Sequence, residues 1–495
     1  MDFMKKNLQP IVIIALLFAP TLSIGQSFGI TDETILVPVT TYQSTNPVPP
    51  SAAILSNFNI APSECISNEL KKEVMAENER NRILLRQSQP QLYEKSSSAP
   101  PTFIWPTQPK AGFNDYGYYT VNFLVDHNFS YPNQLLDYNC AGRTYDWSGG
   151  NHEGTDIILW PYGWRKMDEN IMEIVAAAPG IIINKRNNFF DRMCVNAGNP
   201  NWNGIILEHS DGSQTWYWHF QAGSATTKNI GDAVISGEYL GKAGSSGSST
   251  YPHLHFQVMD SLGATIDPWQ GSCNSMNSTG WWQNQQPYNV PSVNRICTKK
   301  TQVEWYNCPD PEITNEADTF ALGDSLWMWL YNRDLETNSQ MQLNIYNPSG
   351  SNVLNWQFVV PWATVATSYV RWFYVIDPWW VDGTWTFESV YGGVTYQHQF
   401  VIDNSTSLNE NQNMFPCLLK PNPAKDQINV SIPYQRTILE VSVFDQLGKQ
   451  LFVKYADDDA GNPNLNIDCS QYSSGIYFVK ARSAEGIYIS KFVKE

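Results

Sequence analysis

Between residues 103 and 308 the chain runs as short apolar stretches separated by turn-forming residues, and this punctuation restricts the fold more than any other feature. Examples begin at Gly180, Gly204 and Thr215, and each is followed within a few residues by Gly, Asn or Ser. No segment of this block keeps a convincing helical period. Branched and aromatic residues favour strands, whereas Gly, Asn and Ser favour the turns between strands. The block therefore predicts a domain of short β-strands joined by turns.

The composition extends this prediction to the whole chain and excludes some functions. Charged residues make up only 16% of the 495 positions, aromatic residues make up 13%, and there are 31 Gly and 30 Pro. Such a chain is typical of a mainly β protein rich in turns. The net charge of −16 argues against nucleic-acid binding and against a polybasic membrane anchor, because both need a basic surface.

Shifts in composition divide the chain into several segments, since roughly 150 residues make one domain. We expect a mainly β protein in which an antiparallel-sheet domain is followed by a β-sandwich module and a C-terminal β-sandwich. The predicted segments are a signal peptide at 1–25, a pro-region or linker with one helix at 26–101, a first domain at 102–308, a Trp-rich module at 309–403, a linker at 404–415 and a last domain at 416–495.

The N-terminus predicts export. Lys5 and Lys6 precede an apolar run over residues 11–19, and small residues then precede Gln26, which is the pattern of a cleaved secretory signal. A membrane anchor is disfavoured because the run is shorter than the roughly 20 apolar residues that span a bilayer and is followed by Pro20. No later segment is apolar enough to span a membrane.

The cysteines agree with an exported protein. All eight lie beyond the signal, and an even number in an exported chain favours disulfides. Their connectivity is not readable from spacing, except that Cys417 and Cys469 are alone in the last block and are expected to pair. No CxxC motif is present to indicate a thiolate zinc site.

One amphipathic helix is expected at residues 64–87, where Ile66, Leu70 and Val74 recur every four positions among many charges. This helix is either a pro-segment that lies over the following domain or part of a linker.

Five of the seven histidines lie in the predicted first domain, at positions 152, 209, 219, 253 and 255. In the run from Pro252 to Val258, His253 and His255 alternate with apolar residues, so on a strand both imidazoles point to one face. His152 and Asp156 are four residues apart and add a second imidazole and a carboxylate. Three such ligands with one open position suit a catalytic Zn²⁺ ion.

These motifs resemble the M23 family of zinc endopeptidases, the lysostaphin and LytM type. The resemblance rests on HEGTD at 152–156, GIILEH at 204–209, YWHF at 217–220 and SSGSSTYPHLHF at 245–256, which follow the family's order. It implies that His152, Asp156 and His255 bind Zn²⁺, and that His253 and His219 are the catalytic residues beside the attacking water and the scissile carbonyl. Which of the two is the general base stays open.

Other residues near these motifs receive weaker assignments. We expect His209 to be structural, with support of a metal ligand as the alternative, and His127 and His398 to be ordinary surface residues. Arg143 and Tyr145 are weak candidates for binding a substrate carboxylate. Cys140 is expected to staple a loop.

The last block resembles the C-terminal sorting domains read by the type IX secretion system. The resemblance rests on KPNPA at 420–424, DQLGK at 445–449, SSGIYFV at 473–479 and the end KFVKE. It implies passage through the outer membrane, so we expect a secreted protein, extracellular or on the outer-membrane surface, that has the type IX secretion machinery as a partner.

The Trp-rich module is expected to be a β-sandwich in which most Trp side chains form the core. Sugar binding is the alternative, with Trp379 and Trp380 as the exposed pair.

The function expected from these features is that of a secreted zinc endopeptidase acting on peptide bonds, with peptidoglycan cross-links as the preferred substrate. Two alternatives are a protease of Gly-rich extracellular proteins and a non-catalytic M23-like module that binds cell walls or activates another enzyme. We also expect latency, with an Asn or carboxylate from residues 26–101 in the fourth zinc position.

Overall fold

The computed structural model describes residues 35–37, 53–56, 66–93, 99–195, 198–301, 308–404, 417–432, 440–446, 448–455, 464–483 and 486–495. These residues form 30 β-strands, two α-helices and one 3₁₀ turn, so the expectation of a mainly β protein is confirmed. The chain divides into two compact units, residues 1–404 and 405–495. The predicted signal peptide lies outside the described residues. Within the described residues, neither helix is long and apolar enough to cross a lipid bilayer.

The centre of the first unit is an eight-stranded antiparallel sheet. Its main strand order is β12, β9, β10, β11, β14, β7, β4, and β15 pairs with β14. The strands are β4 (Tyr119–Phe123), β7 (Gly154–Leu159), β9 (Gly180–Arg186), β10 (Gly204–Glu208), β11 (Gln214–Trp218), β12 (Ala233–Val234), β14 (His253–Met259) and β15 (Thr265–Ile266). The central strands β7, β10, β11 and β14 are buried along their whole length, including their polar residues.

Two smaller sheets and a short helix flank the central sheet. The small sheets are β13 (Tyr239–Lys242), β8 (Met172–Val175) and β3 (Thr107–Pro109), and the hairpin of β5 (Asp146–Trp147) and β6 (Gly150–Asn151). The helix α2 (Gly163–Asp168) has only six residues, which is too short to produce the helical period sought in the sequence.

The predicted N-terminal helix is present as α1 (Asn68–Ser88), and a 3₁₀ turn (Pro90–Tyr93) follows it. It begins later than residue 64 because the Ser67 side chain accepts a hydrogen bond from the Leu70 amide and caps the first turn. The buried residues Leu70, Val74, Asn78 and Leu85 lie on one stripe, and they join a core that includes Trp202, Trp216 and Trp218. The helix therefore packs on the first domain. This favours the interpretation of the helix as a pro-segment that covers the domain, and not as part of a linker.

The Trp-rich module is a pair of five-stranded sheets. One has the order β1 (Ile35–Val37), β2 (Ala53–Ser56), β21 (Ser368–Val375), β18 (Ser325–Arg333) and β16 (Ser292–Lys299), and the other β17 (Thr319–Phe320), β23 (Val394–Ile402), β22 (Gly383–Tyr391), β19 (Gln340–Tyr346) and β20 (Asn352–Val359). Strand β16 lies inside the predicted range 102–308 but pairs with β18 of this module. The domain boundaries themselves remain predictions.

The Trp side chains of this module mainly form its core. Trp356, Trp372 and Trp385 are almost completely buried. The expectation that Trp379 and Trp380 form an exposed pair is wrong, because Trp380 is only 2% exposed and packs against Trp385 with ring centroids 4.7 Å apart.

Two disulfides are present among the described cysteines, Cys140–Cys273 and Cys194–Cys308, so Cys140 does staple a loop. The expected pair between Cys417 and Cys469 is not formed, and both are buried free thiols. Cys417 precedes the strand Leu418–Lys420 and Cys469 follows the strand Asn464–Asp468, and the pairing of both strands with Gln427–Ser431 places the two cysteines at opposite ends of one sheet. Cys297 is also a buried free thiol, and Cys65 lies outside the described residues.

The second unit contains two small antiparallel sheets around its own core. The first consists of β24 (Leu418–Lys420), β25 (Gln427–Ser431) and β28 (Asn464–Asp468), and the second of β27 (Gln450–Tyr455), β26 (Glu440–Asp445), β29 (Gly475–Ser483) and β30 (Gly486–Lys494). The run SSGIYFV enters β29, and the last residues of the chain form β30.

Candidate metal centre

Strand β14 lies between β11 and β7 and brings the separated motifs together. His255 is opposite Asp156 on β7 and opposite Trp218 on β11. Leu254 and Phe256 point into the apolar core and are fully buried, while His253 and His255 point to the other face, where both contact Asp156. This is the alternation expected from the sequence.

The three predicted metal ligands meet at this face. The Asp156 carboxylate lies 2.9 Å from His255 Nδ1 through Oδ1 and 3.2 Å from His152 Nε2 through Oδ2. The two imidazole nitrogens are 3.3 Å apart. One donor atom from each residue therefore lies within 4.8 Å of the other two, which makes the group a candidate metal site.

His152 is oriented by its surroundings. Its Nδ1–H donates to the Leu124 carbonyl oxygen at 2.7 Å, which directs Nε2 at Asp156 and His255. The ring also stacks on Tyr145 with centroids 4.5 Å apart. Tyr145, a candidate substrate-binding residue, thus positions a predicted ligand.

His219 and His253 adjoin the candidate ligands, with ring centroids 4.4 Å apart. His219 Nδ1–H donates to the Ser246 carbonyl oxygen at 2.6 Å, and His253 Nδ1–H donates to the Tyr251 carbonyl oxygen at 2.7 Å. The Nε2 atoms of both rings are buried and have no hydrogen-bond partner among the described residues. Two imidazoles with free Nε2 lone pairs therefore adjoin the three candidate ligands.

A tight backbone contact holds His219 in place. Its φ of +70° lies in the left-handed region, which few residues with a side chain adopt. The Gly244 amide donates to the His219 carbonyl oxygen at 2.8 Å. A Cβ atom on Gly244 would lie 2.7 Å from the Gln221 amide nitrogen, so this position admits only glycine without a backbone shift.

Burial and neighbouring charges set the protonation states of the cluster. Burial alone would raise the pKa of Asp156, but His152 and His253 outweigh burial and hold this pKa well below its usual range. Burial, reinforced by His253 and His255, holds the pKa of His219 well below its usual range. Burial also lowers the pKa of His253, although Asp156 opposes the shift. The cluster thus favours an ionised carboxylate, while burial disfavours protonation of His219 and His253.

The whole cluster is covered. Its five residues are between 0% and 6% exposed, which is too little for a peptide chain to reach them. A narrow recess reaches the cluster, lined by Ile66, Trp147, Asn151, His152, Glu153, His255 and Gln257. Ile66 belongs to the segment just before α1, so part of the cover comes from the N-terminal region.

Polar contacts fasten α1 over the same face. Lys71 Nζ lies 2.6 Å from a Glu153 carboxylate oxygen, which also accepts a hydrogen bond from Gln257. Further along the helix, Arg82 Nε donates to Glu208 at 2.7 Å. Sequence reasoning missed Glu153 and Gln257, although Glu153 directly follows a predicted ligand and Gln257 continues the alternation of His253 and His255.

The remaining histidines lie outside this cluster. His209 hydrogen bonds to the Pro179 carbonyl oxygen and to Thr215, which is a structural arrangement. The expectation that His127 is a surface residue is wrong, because it is buried and its Nε2 lies 2.8 Å from Asp267. His127 lies in the segment after β4 and Asp267 directly follows β15, so the two residues meet only in the fold. His398 is partly buried and contacts Asp318.

Arg143 is engaged elsewhere. Its guanidinium donates to Asp334 at 2.7 Å and also binds Tyr288 and Asn289 in the loop before β16. Nothing in this arrangement supports a role in binding a substrate carboxylate.

The motifs agree with comparisons to known families. Residues 151–268 match the model described as Peptidase family M23, and this range contains all five cluster residues. The chain carries an M23 peptidase domain. Residues 419–495 match the model described as Secretion system C-terminal sorting domain, which indicates secretion beyond the outer membrane.

The M23 domain has curated relatives. Glycyl-glycine endopeptidase ALE-1 from Staphylococcus capitis is 34% identical over 116 residues, covering 23% of this chain and 25% of the relative. Lysostaphin from Staphylococcus staphylolyticus is 44% identical over 69 residues, covering 13% of this chain and 14% of the relative. The chain thus spans a quarter or less of the length of these relatives.

A solved structure is also similar to this domain. The catalytic domain of the antimicrobial peptidase lysostaphin from Staphylococcus simulans is 26% identical and covers 32% of this chain and 89% of that chain, with a TM-score of 0.17. The family assignment of the domain therefore rests on the sequence matches.

Proposed function

We propose that the protein is a secreted zinc endopeptidase that hydrolyses peptide bonds in peptidoglycan cross-links with metal-activated water. The observation that carries this proposal is the convergence of His152, Asp156 and His255 beside two imidazoles with free Nε2 atoms. The M23 match and a relative named as a glycyl-glycine endopeptidase support the choice of a short peptide cross-link.

The donor set fits a zinc ion. His152 would bind through Nε2, whose lone pair is free because Nδ1 donates to Leu124, and His255 would bind through Nδ1. Asp156 supplies a carboxylate oxygen, so the site offers two nitrogen ligands and one oxygen ligand. Zn²⁺ accepts such a set and keeps a fourth position open in catalytic sites. A bound Zn²⁺ ion supplies Lewis acidity, which polarises a peptide carbonyl and makes water a stronger acid.

His253 and His219 would move the protons. Each holds its Nδ1–H on a backbone carbonyl oxygen, so each neutral ring presents Nε2 as a proton acceptor. A ring that takes the proton of the attacking water becomes a cation, which stabilises the negative charge on the carbonyl oxygen and can then protonate the leaving amine. The two rings lie side by side, and the geometry suits either of them as the base.

Substrate comparison tests this function. The processed protein is incubated with purified peptidoglycan sacculi and, separately, with an elastin-like Gly-rich protein, and the released peptides are identified by mass spectrometry. We expect new peptide termini from sacculi and none from an Asp156→Asn variant. Hydrolysis of the Gly-rich protein but not of the sacculi would identify Gly-rich extracellular proteins, and not peptidoglycan, as the substrate.

The non-catalytic alternative makes a different prediction. A cell-wall-binding or activating module would bind sacculi without releasing peptides, even with stoichiometric zinc and the N-terminal region removed. The complete set of five cluster residues favours catalysis over this alternative.

We further propose that residues 26–101 keep the enzyme latent. The five cluster residues are almost completely buried, and Ile66 and α1 lie on their face of the sheet. Ile66 carries no metal-binding atom, so the expected Asn or carboxylate ligand has no support from residues 66–93, and steric cover is the better supported cause. Deletion of residues 26–98 should raise the rate of peptide release, and an unchanged rate would contradict latency.

The C-terminal sorting domain accounts for the proposed location. We propose export by the type IX machinery to the cell surface or medium, with the tail removed during passage. Deletion of residues 405–495 should leave the protein in the periplasm, which fractionation of the native host would reveal.

A further inference from the structure

A second cavity opens beside α2 and has no part in the proposed peptidase reaction. Its volume is about 270 Å³, and none of the five cluster residues lines it. One wall is α2 with the preceding Tyr162, and another is the loop from Lys110 to Asp115. The cavity is thus a separate site of a size that suits a small molecule.

A buried ammonium group points at this cavity without a hydrogen-bond partner. The Lys166 side chain is 6% exposed and lines the cavity, and its Nζ makes no hydrogen bond to any residue that the structure describes. The nearest acidic oxygen, Asp115 Oδ2, is 3.9 Å away and is held by Arg295 Nη1 at 2.8 Å. Lys166 is therefore a buried cation whose ion pair with Asp115 is long and shared with Arg295, and its ammonium group makes no hydrogen bond to a described residue.

The other charges of the cavity are already engaged. Arg165 pairs with Glu169 at 2.7 Å, and Arg295 binds Glu316 as well as Asp115. The charged lining residues are Lys110, Asp115, Arg165, Lys166, Glu169 and Arg295, four cations and two anions. Glu312 and Glu316 also act on Lys166 and balance these cations, so an anionic occupant is favoured by the ammonium group without hydrogen bonds and not by net charge.

Apolar groups surround the ammonium. The Phe113 and Tyr162 rings each have their centroid 6.0 Å from Lys166 Nζ, and Ile171 lies in the same wall. A fully hydrated anion makes little use of such walls, whereas an anion joined to an apolar group can place its charge on Lys166 and its side chain on the rings.

We propose that this cavity, the Lys166 pocket, binds the carboxylate of a small molecule that carries an apolar side chain, such as a free acylated amino acid or the last residue of a peptide. Lys166 holds the carboxylate, and Phe113 and Tyr162 hold the side chain. The site and its ligand are independent of the peptidase reaction.

The titration of Lys166 agrees with this arrangement. Burial lowers the pKa of Lys166 to about 8, although Asp115 opposes the shift. The amine therefore stays mostly protonated at neutral pH, and a bound carboxylate would stabilise this charged form further.

Calorimetry with a matched pair of ligands tests the proposal. The full-length protein is titrated with N-acetylphenylalanine, with its neutral amide and with inorganic phosphate. We expect binding of the acid but not of the amide, and a loss of affinity of about tenfold or more in Lys166→Met. Lys110, an exposed cation at the rim of the cavity, is the control, and Lys110→Met should change the affinity by less than about twofold.

Several outcomes would overturn the proposal. They are no binding of the acid to the wild type, equal binding of acid and amide, or unchanged affinity in Lys166→Met. Binding of phosphate but not of N-acetylphenylalanine would mean that the Lys166 pocket takes a phosphate group and not a carboxylate.

A second measurement needs no variant and covers the case in which Lys166→Met does not fold. Lysines of the wild-type protein are reductively methylated with and without N-acetylphenylalanine and mapped by mass spectrometry. The ligand should slow methylation of Lys166 but not of Lys110. Equal protection of both residues, or of neither, would contradict the proposed site.

Discussion

At the scale of single residues, main-chain carbonyl groups decide what the histidines of the cluster can do. His152, His219 and His253 each place Nδ1–H on a carbonyl oxygen and present Nε2, whereas His255 turns its Nδ1 to Asp156. An imidazole with one nitrogen held in this way has a fixed tautomer. Substitutions at these positions should therefore separate metal binding from proton transfer.

Removal of either non-ligand imidazole should impair catalysis without loss of metal. We expect His253→Ala and His219→Ala to lower kcat by about 10²- to 10⁴-fold, the usual contribution of a general acid or base. Zinc content, measured by mass spectrometry of the purified variants, should stay at the wild-type level. His398→Asn, in the Trp-rich module, is the control and should keep full activity. Loss of zinc from His253→Ala would instead place His253 among the ligands.

Removal of the bridging carboxylate should abolish metal binding. Asp156→Asn loses the anionic ligand that contacts His152 and His255, so zinc should be absent from the purified variant. A metal at 100 times its Kd stabilises a protein by about 2.7 kcal/mol. A chelator should accordingly lower the Tm of the wild type and leave that of Asp156→Asn unchanged. An equal chelator effect on both proteins would contradict this assignment.

At the scale of elements, α1 is attached to the catalytic sheet by polar as well as apolar contacts. Asn78 is 1% exposed, donates to Gln214 Oε1 at 3.0 Å and accepts from Asn184 Nδ2 at 2.9 Å. A buried amide that satisfies two strands of the sheet sets the register of the helix on it. The helix α1 therefore covers the cluster in one defined position on the sheet.

Loss of this amide should loosen the helix. Asn78→Ala leaves the Asn184 amide group without this partner, and an unsatisfied buried polar group costs about 1–3 kcal/mol. Denaturant unfolding should report the loss of stability, and limited proteolysis should cut the N-terminal region faster. The exposed Lys72→Ala variant is the control and should match the wild type. If the helix also causes latency, Asn78→Ala should raise peptidase activity before any deletion.

At the scale of the whole molecule, two disulfides close long segments of the first unit. Cys140–Cys273 joins residues 133 apart and Cys194–Cys308 joins residues 114 apart. The first links the chain before His152 to the chain after β15, and the second links the loop after β9 to the start of the Trp-rich module. Both restrict the unfolded chain, and the first loop contains all five cluster residues, whereas the second contains only His219, His253 and His255.

Removal of one disulfide should destabilise the first unit. The double variant Cys140→Ser with Cys273→Ser should lose about 2–5 kcal/mol of unfolding free energy, measured in denaturant without reductant. The buried free thiol is the comparison, and Cys297→Ala should lose about 1 kcal/mol. Equal losses of unfolding free energy in the two variants would mean that the disulfide stabilises the first unit no more than a buried, packed thiol does.

Much of the metal centre was predictable because strand alternation and motif spacing are local properties. His253 and His255 share a face for the same reason that Leu254 and Phe256 share the core. By contrast, His127 and Asp267 are 140 positions apart, and no local pattern indicated that they would meet in the interior. Trp380 was misplaced for a similar reason, since its neighbours Trp385 and Phe400 come from other strands.

Short-range pattern was thus sufficient for the mainly β fold, for a helix close to the predicted residues 64–87, which is found at Asn68–Ser88, and for the motifs that carry the two family resemblances. Each of these depends on residues a few positions apart, whose relative directions the backbone geometry sets. The tertiary structure alone decided that α1 covers the cluster, that Cys417 and Cys469 stay unpaired and that the Lys166 ammonium faces a cavity without a hydrogen bond to a described residue. These features depend on distances between remote segments, which arise only when the sheets pack.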